Sequence, residues 1–188
     1  MTTRLVIMGR QGAGKGTQCV QLASHYGIPH ISTGDMLRAA VADGTELGLQ
    51  AKAIMDAGGL VNDEIMNGIV TERLAQPDAQ PGFILDGYPR TAPQADYLDG
   101  VLSDTEGLDA AVDLDVPIPV VTERMKARGR SDDTDEGIAR RLDLYEQETA
   151  PLIAWFIERD LLVTVPGEGL EDEVFDRLVA AIEGREAA

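Results

Sequence analysis

Leu5-Val-Ile-Met8 runs directly into Gly9-Arg-Gln-Gly-Ala-Gly-Lys-Gly-Thr17. A short apolar run ending in a glycine-rich loop, followed by a helical pattern, reads as strand, phosphate-binding loop and helix. The glycines let the backbone curl so that successive N–H groups point inward, and the helix adds the positive end of its dipole. Lys15 brings a mobile point charge that reaches terminal phosphates. Gly12, Ala13, Gly14, Lys15, Gly16 and Thr17 therefore predict a bound nucleoside triphosphate. Gly16 stands where Ser or Thr usually follows the lysine, and the hydroxyl comes one place later at Thr17. That shift removes the usual hydroxyl ligand and leaves phosphate oxygens and water to hold Mg²⁺.

Outward from the loop, apolar runs recur at residues 28–32, 82–86, 110–116 and 161–165, with helical patterns between them. The alternation predicts an α/β fold of the P-loop NTPase type, a five-stranded parallel sheet sandwiched by helices. Two stretches break the rhythm. Residues 33–60 are helical, contain no strand and hold Gly44, Gly48 and Gly58-Gly59, which predicts an inserted helical lobe. Gly129-Arg-Ser-Asp-Asp-Thr-Asp135 is polar and strandless, which predicts a short flap. The expected division is a core of residues 1–31, 62–128 and 137–188, a lobe at 32–61 and a lid at 129–136. A single helix is expected from residue 136 to about 158, with Trp155 and the methionines as core filling.

Composition narrows the function. With 16 basic and 33 acidic residues the net charge is −17, which excludes a nucleic-acid partner, since that needs a basic face. A small anion is not excluded, because a site responds to local charge. No apolar stretch reaches the length of a membrane span and nothing resembles an export signal. The one cysteine, Cys19, excludes an internal disulfide and a Cys-rich zinc site; it reads as a small buried hydrophobe in a monomeric cytoplasmic protein. Neither His25 nor His30 belongs to a metal-spaced cluster.

The third apolar run ends in Asp86-Gly-Tyr-Pro-Arg-Thr91. An aspartate at that position in a phosphate-loop protein organises magnesium or its water. Arg90 follows a Gly-x-Pro turn at a strand's carboxyl end, the edge where open α/β sheets bind ligands. Arg38 lies in the lobe, Arg124, Arg128 and Arg130 approach the flap, and Arg140 and Arg141 leave it. Guanidinium forks grip phosphate oxygens in pairs, and phosphoryl transfer works by positioning such charges. Arg140 has Glu136 four residues earlier and is assigned to that surface pair instead.

With these motifs in view the chain resembles the adenylate kinases of the nucleoside monophosphate kinase family, nearly end to end. The resemblance is carried by Gly12-Ala-Gly-Lys-Gly-Thr-Gln18, Ile31-Ser-Thr-Gly-Asp-Met-Leu-Arg38, Asp86-Gly-Tyr-Pro-Arg-Thr91 with Gln94, Arg128-Gly-Arg-Ser-Asp-Asp133, and Tyr145 to Pro151-Leu-Ile. It implies phosphoryl transfer from MgATP to AMP giving two ADP, with residues 32–61 as the AMP-binding lobe. Carried over residue by residue, Gly12 to Thr17 cradle the ATP phosphates, Arg124 and Arg128 meet ATP, and Gly169 touches its adenine through the backbone. Thr33, Arg38, Gly59, Leu60, Val61, Gly87, Tyr88, Pro89, Arg90 and Gln94 hold AMP, with Arg130 and Arg141 facing the AMP side and the moving phosphoryl group. Lys15, Arg90, Arg124, Arg128, Arg130 and Arg141 form the catalytic set, and Asp86 holds Mg²⁺ through water. Gln11 replaces a proline common in the family loop, and Gly58-Gly59 adds a glycine at the lobe's exit. The flap matches the short-lid form, so no zinc is expected. Rival readings are a CMP or UMP kinase and a nucleotide-dependent switch. Thr33 and Gln94 favour adenine, and no Asn-Lys-x-Asp guanine motif occurs.

An excess of 17 negative charges repels itself in the folded state. Salt screens that repulsion, with a Debye length of ~10 Å at 0.1 M. The melting temperature, followed by circular dichroism, is expected to rise between very low and molar NaCl; a flat or falling profile would mean the acids are compensated locally.

Overall fold

All six residues of β1 (Thr3–Met8) are buried, as a central parallel strand covered on both faces requires. It pairs in parallel with β3 (Gly82–Asp86) on one side and β4 (Ala110–Asp115) on the other. β2 (His30–Ser32) and β5 (Leu162–Pro166) complete an all-parallel sheet in the order β2-β3-β1-β4-β5. The computed structural model describes residues 3–56, 59–130 and 132–186; Gly58 of the lobe, Ser131 of the flap, and Met1 and Thr2 lie outside the described residues.

The period of two along β1 divides the core. Leu5 and Ile7 share one face with Ile84 and Val112, and pack on α1 (Lys15–Tyr26), α6 (Ile118–Arg128) and α9 (Glu171–Glu186) through Leu22, Val121 and Leu178. Val6 and Met8 share the other with Phe83 and Leu85, and pack on α4 (Asp63–Leu74), α5 (Ala92–Leu102) and α8 (Pro151–Glu158) through Val70, Leu98 and Phe156. β2 begins later than its apolar run because Pro29 has no N–H; it still accepts a bond from Ile84 N at 2.9 Å.

The inserted lobe is two helices, α2 (Thr33–Ala42) and α3 (Glu46–Asp56). Ser32 caps α2 by accepting from Asp35 N at 3.3 Å. The helices cross so closely that a Cβ on Gly48 would fall 2.1 Å from the Ala40 carbonyl oxygen, so only glycine fits. No helix among the described residues is long and apolar enough to cross a membrane.

The single helix expected after the flap is instead interrupted. α7 (Asp135–Leu144) widens into a π turn (Tyr145–Thr149) before α8 begins. Pro151 is the cause: in a regular helix its ring would strike the carbonyl of residue 147, and it donates no bond. The wider turn, closed by Ala150 N donating to Tyr145 O at 2.7 Å, makes room for it. Trp155 sits at the rim of the core, its Nε1 donating to Asp96 at 2.8 Å and its ring covered by the Arg159 guanidinium.

Candidate functional site

At the carboxyl end of β1 the chain turns through the glycine loop into α1. Gly12 has φ +85°, and a Cβ there would lie 2.7 Å from the Val121 carbonyl oxygen, so a side chain is excluded twice over. Lys15 Nζ donates to Gly9 O at 2.8 Å and Arg10 O at 3.1 Å, which leaves one of its three hydrogens for a ligand. Burial lowers the Lys15 pKa; Asp86 opposes the shift and Arg90 adds to it. Arg124 Nη1 donates to Ala13 O at 3.1 Å and fastens α6 to the loop.

At the end of β3, Asp86 is nine-tenths out of solvent, its side chain 12% exposed. Burial opposes its charge, yet the His30 Nε2 contact at 3.3 Å and nearby Lys15 leave its pKa below the ordinary carboxylate range. Arg90 Nε donates to Gly87 O at 2.9 Å, and its carbonyl accepts from Thr149 Oγ1 at 3.0 Å, so the π turn braces it. Burial lowers the Arg90 pKa, against the pull of Asp86.

Gln94 is 2% exposed and its amide orientation is fixed from both sides. The Arg90 backbone N–H donates to Oε1 at 2.7 Å, and Nε2 donates to Asp63 Oδ1 at 2.7 Å. A backbone N–H only donates and an ionised carboxylate only accepts, so the amide cannot reverse. One lone pair and one N–H remain on it. Asp63, whose other oxygen accepts from Thr91 at 3.3 Å, carries no motif signal and is found only in three dimensions.

The flap is organised around Asp133, whose side chain is 1% exposed. It accepts from Arg128 Nε at 2.9 Å and Nη2 at 2.8 Å, from Arg141 Nη2 at 2.9 Å, and from Arg130 N at 3.0 Å. Burial opposes the charge, but the Arg128 and Arg141 bonds bring the carboxyl down to about 2. Arg141 also donates to Asp132 Oδ2 at 2.6 Å. The pair expected between Arg140 and Glu136 is not formed: no ion pair joins them among the described residues. Both are exposed, and an exposed pair on a helix face gains too little to hold two long side chains together.

These elements line two adjoining cavities that open to solvent, about 1100 and 1020 Å³ with the solvent-filled mouths counted. The first has apolar walls, Leu37, Met55, Leu60, Val61, Met66 and Pro89, with Gln94 among them and Arg38, Arg90 and Arg141 at its polar end. The second is polar: Gly12, Gly14, Lys15, Gly16, Thr17, Asp86, Arg124, Arg128 and Arg130. They share Gln11, Gly34, Gly87 and three cations, Lys15, Arg38 and Arg90. Among the described residues that line them, Lys15 and six arginines stand against the carboxylates of Asp35, Asp86 and Asp132, with Asp133 behind Arg128 and Arg141, so the site is positive inside a negative protein.

The adenylate kinase family model matches residues 7–161. The chain belongs to the adenylate kinase family. An adenylate kinase of Stenotrophomonas maltophilia (strain K279a) is 50% identical over 184 residues, covering 95% of this chain and 98% of its own. One from Clavibacter michiganensis subsp. michiganensis (strain NCPPB 382) is 48% identical over 188 residues, covering 97% and 94%. Adenylate kinase 1 of Nostoc sp. (strain PCC 7120) is 47% identical over 181 residues, covering 96% and 98%. As a member of the family the protein is a nucleotide phosphotransferase.

Of the residues that the adenylate kinase pattern assigns to ATP, Gly12, Gly14 to Thr17, Arg124 and Arg128 line the polar cavity. Ala13 is buried behind it, and Gly169 lines neither cavity, sitting instead against Glu173 and Arg177. Of those assigned to AMP, Thr33, Arg38, Gly59 to Val61, Gly87, Pro89, Arg90, Gln94 and Arg141 line the apolar cavity. Two differ. Arg130 lines the polar cavity only, because it follows Arg128 on the same side of the flap. Tyr88 lines neither: its ring is buried and its hydroxyl donates to Asn67 Oδ1 at 2.5 Å. His30 also departs from expectation. It lies with Cys19 and Asp86 in one cluster, which residues so far apart in the chain do not announce.

Because the folded-state pKa of Asp133, about 2, lies below the unfolded value of ~3.9, the group adds stability above pH ~4 and loses it as pH falls through ~2. The contribution is roughly 2–3 kcal/mol at neutral pH. Asp133→Asn is expected to lower the melting temperature at pH 7, and thermal melts should show the gap to the parent protein closing between pH 4 and 2. A gap independent of pH would contradict the assignment.

Proposed function

We propose that this protein catalyses MgATP + AMP ⇌ 2 ADP, with ATP phosphates in the polar cavity and AMP in the apolar one. The observation that carries this is the junction: the two cavities meet at Lys15, Arg38 and Arg90. A phosphate from each side can approach the other there among fixed cations. An AMP phosphate oxygen attacks the γ-phosphorus in line, that new P–O bond forms, and the bond to the β-phosphate oxygen breaks. The attacking oxygen is already ionised at pH 7, so no general base is needed. Lys15 and the arginines hold charge as it spreads over the moving group, in positions set beforehand by their bonds to Gly9, Arg10, Ala13, Gly87, Asp132 and Asp133.

Asp86 suits Mg²⁺ by its chemistry: an ionised carboxylate facing the polar cavity, next to Gly16, with room for phosphate and water oxygens. Bound there, the ion would offset phosphate charge and align the β- and γ-oxygens. Residues 32–61 and 129–136 are read as lobes that close over the nucleotides and exclude water, so that ATP is not hydrolysed. A monomer in the cytoplasm accords with a site built within one chain and with a free buried cysteine.

The amide of Gln94 would read the adenine edge with its remaining lone pair and N–H, facing N6–H and N1. Guanine offers the reverse order. AMP should therefore be preferred widely over GMP, CMP and UMP when ADP formation is measured with each acceptor; equal use of CMP would remove the adenine reading. Gln94→Leu is expected to raise the KM for AMP and narrow its lead over CMP, with less effect on ATP. Asp63→Asn frees the amide to reverse and should act in the same direction, more weakly. Arg90→Ala should weaken every monophosphate alike.

Lys15→Met removes a charge that follows the transferring group. Turnover should fall by at least ~10²-fold, more than ATP binding weakens, since the transition state is held better than the ground state. Steady-state kinetics with a nucleotide-binding titration decide it; near-normal turnover in the folded variant would defeat the assignment.

A further inference from the structure

Beneath the phosphate loop, Cys19 of α1, His30 of β2 and Asp86 of β3 bring a sulfur, an imidazole nitrogen and a carboxylate oxygen within 4.8 Å of one another. We infer that this trio is an inhibitory site for a borderline-soft divalent cation of the zinc type, whose binding takes Asp86 out of the phosphoryl-transfer site. The inhibitory part rests on the function proposed above; the binding part does not.

The distances suit such an ion. Zinc at ~2.3 Å from sulfur and ~2.0–2.2 Å from nitrogen and oxygen holds tetrahedral ligand atoms roughly 3.4 Å apart. His30 Nε2 and Asp86 Oδ2 already stand 3.3 Å apart. The sulfur, at most 4.8 Å from either, needs a shift of about 1 Å, the scale of a small side-chain adjustment. The donor chemistry is selective too. A thiolate, an imidazole and a carboxylate favour zinc, cobalt and copper, whereas magnesium keeps to oxygen ligands and water. Three protein ligands leave a fourth position open, as at zinc sites that take water or substrate.

Charge balances as well. On binding, the Cys19 thiol gives its proton to solvent, and the thiolate and the Asp86 carboxylate together cancel the ion's two charges. Burial first, and then the charge of Asp86, disfavour a thiolate at Cys19, which is 0% exposed; the cation provides the compensation that Lys15 does not supply in full. The nucleotide site offers an entry, because Asp86 lines the polar cavity while Cys19 is sealed. Ion and nucleotide phosphates should therefore exclude each other. Occupancy also removes from Lys15 the one carboxylate that favours its charge.

The test uses the full chain, with Co²⁺ as a spectroscopic probe and Zn²⁺ as inhibitor. Co²⁺ should bind at one equivalent, with a thiolate-to-cobalt charge-transfer band in the near ultraviolet, and Zn²⁺ or excess ATP should displace it. With Mg²⁺ in excess, Zn²⁺ should suppress ADP formation, and a chelator should restore it. Cys19→Ala should keep its activity, lose the near-ultraviolet band and resist Zn²⁺ at least ~10-fold better; His30→Gln should weaken Co²⁺ binding at least ~10-fold. Thermal melts verify that both variants fold. Absence of the thiolate band, or undiminished Zn²⁺ sensitivity in Cys19→Ala, would overturn the site. A thiolate band with undiminished turnover would overturn the inhibition. Failure of the enzyme to make ADP with Mg²⁺ present and no Zn²⁺ or Co²⁺ added would strike the proposed function, while the spectra still judged the site.

Discussion

Lys15 and six arginines are gathered into one seam, and repulsion among them is the constraint that the surrounding structure meets. Six of these seven cations are tied to an acceptor rather than left to spread, and Arg130 is held through its backbone N–H on Asp133. Lys15 is tied to carbonyls of its own loop, Arg124 to Ala13, Arg90 to Gly87, Arg38 to Asp35, and Arg128 and Arg141 to Asp133. Carbonyls hold a cation without cancelling its charge, so the seam stays positive and ready for phosphate. Carboxylates are used in two places: Asp35 holds Arg38 in the lobe, and around the flap a single buried Asp133 serves two side chains and the backbone of a third residue. The fold follows from the same need. Cations from α1, α2, α6, α7 and the end of β3 converge only if those elements meet at one edge of the sheet, and the parallel order with β1 at its centre brings them there.

Features set by local physics were legible in the sequence. The buried strands read as apolar runs because both their faces are covered, and the phosphate loop read as a loop because its glycines, lysine and helix are contiguous. The family resemblance then named most of the residues that line the two cavities. What escaped depends on contacts between distant residues. Asp63 meets Gln94 across 31 positions, and Asp86 meets His30 across 56. Neither pairing leaves a trace in spacing. Tyr88 sits inside a motif but turns its ring into the core, because its hydroxyl finds Asn67 there. Arg140 shows the opposite error, a pairing allowed by helical spacing that exposure leaves without value. The π turn was latent in Pro151, whose effect on the preceding turn is plain only once α7 and α8 are seen to be joined.

That turn gives α7 the properties of a lever. The helix is 10 residues long, about 15 Å, with Arg141 on its shaft and, at its amino-terminal end, the flap, which Lys126 and Arg128 of α6 hold through Asp135 and Asp133. Its other end is seated at the π turn, where Thr149 holds the carbonyl of Arg90 and Glu146 holds Arg10 of the phosphate loop at 2.7 Å. A tilt of ~20° about that seat carries the flap end roughly 5 Å while leaving the seat nearly still. The fulcrum therefore lies at the catalytic edge of the sheet, not in the flap itself. Any such tilt would move the flap most and the seat beside Arg10 and Arg90 least, since the two are ends of one short rod.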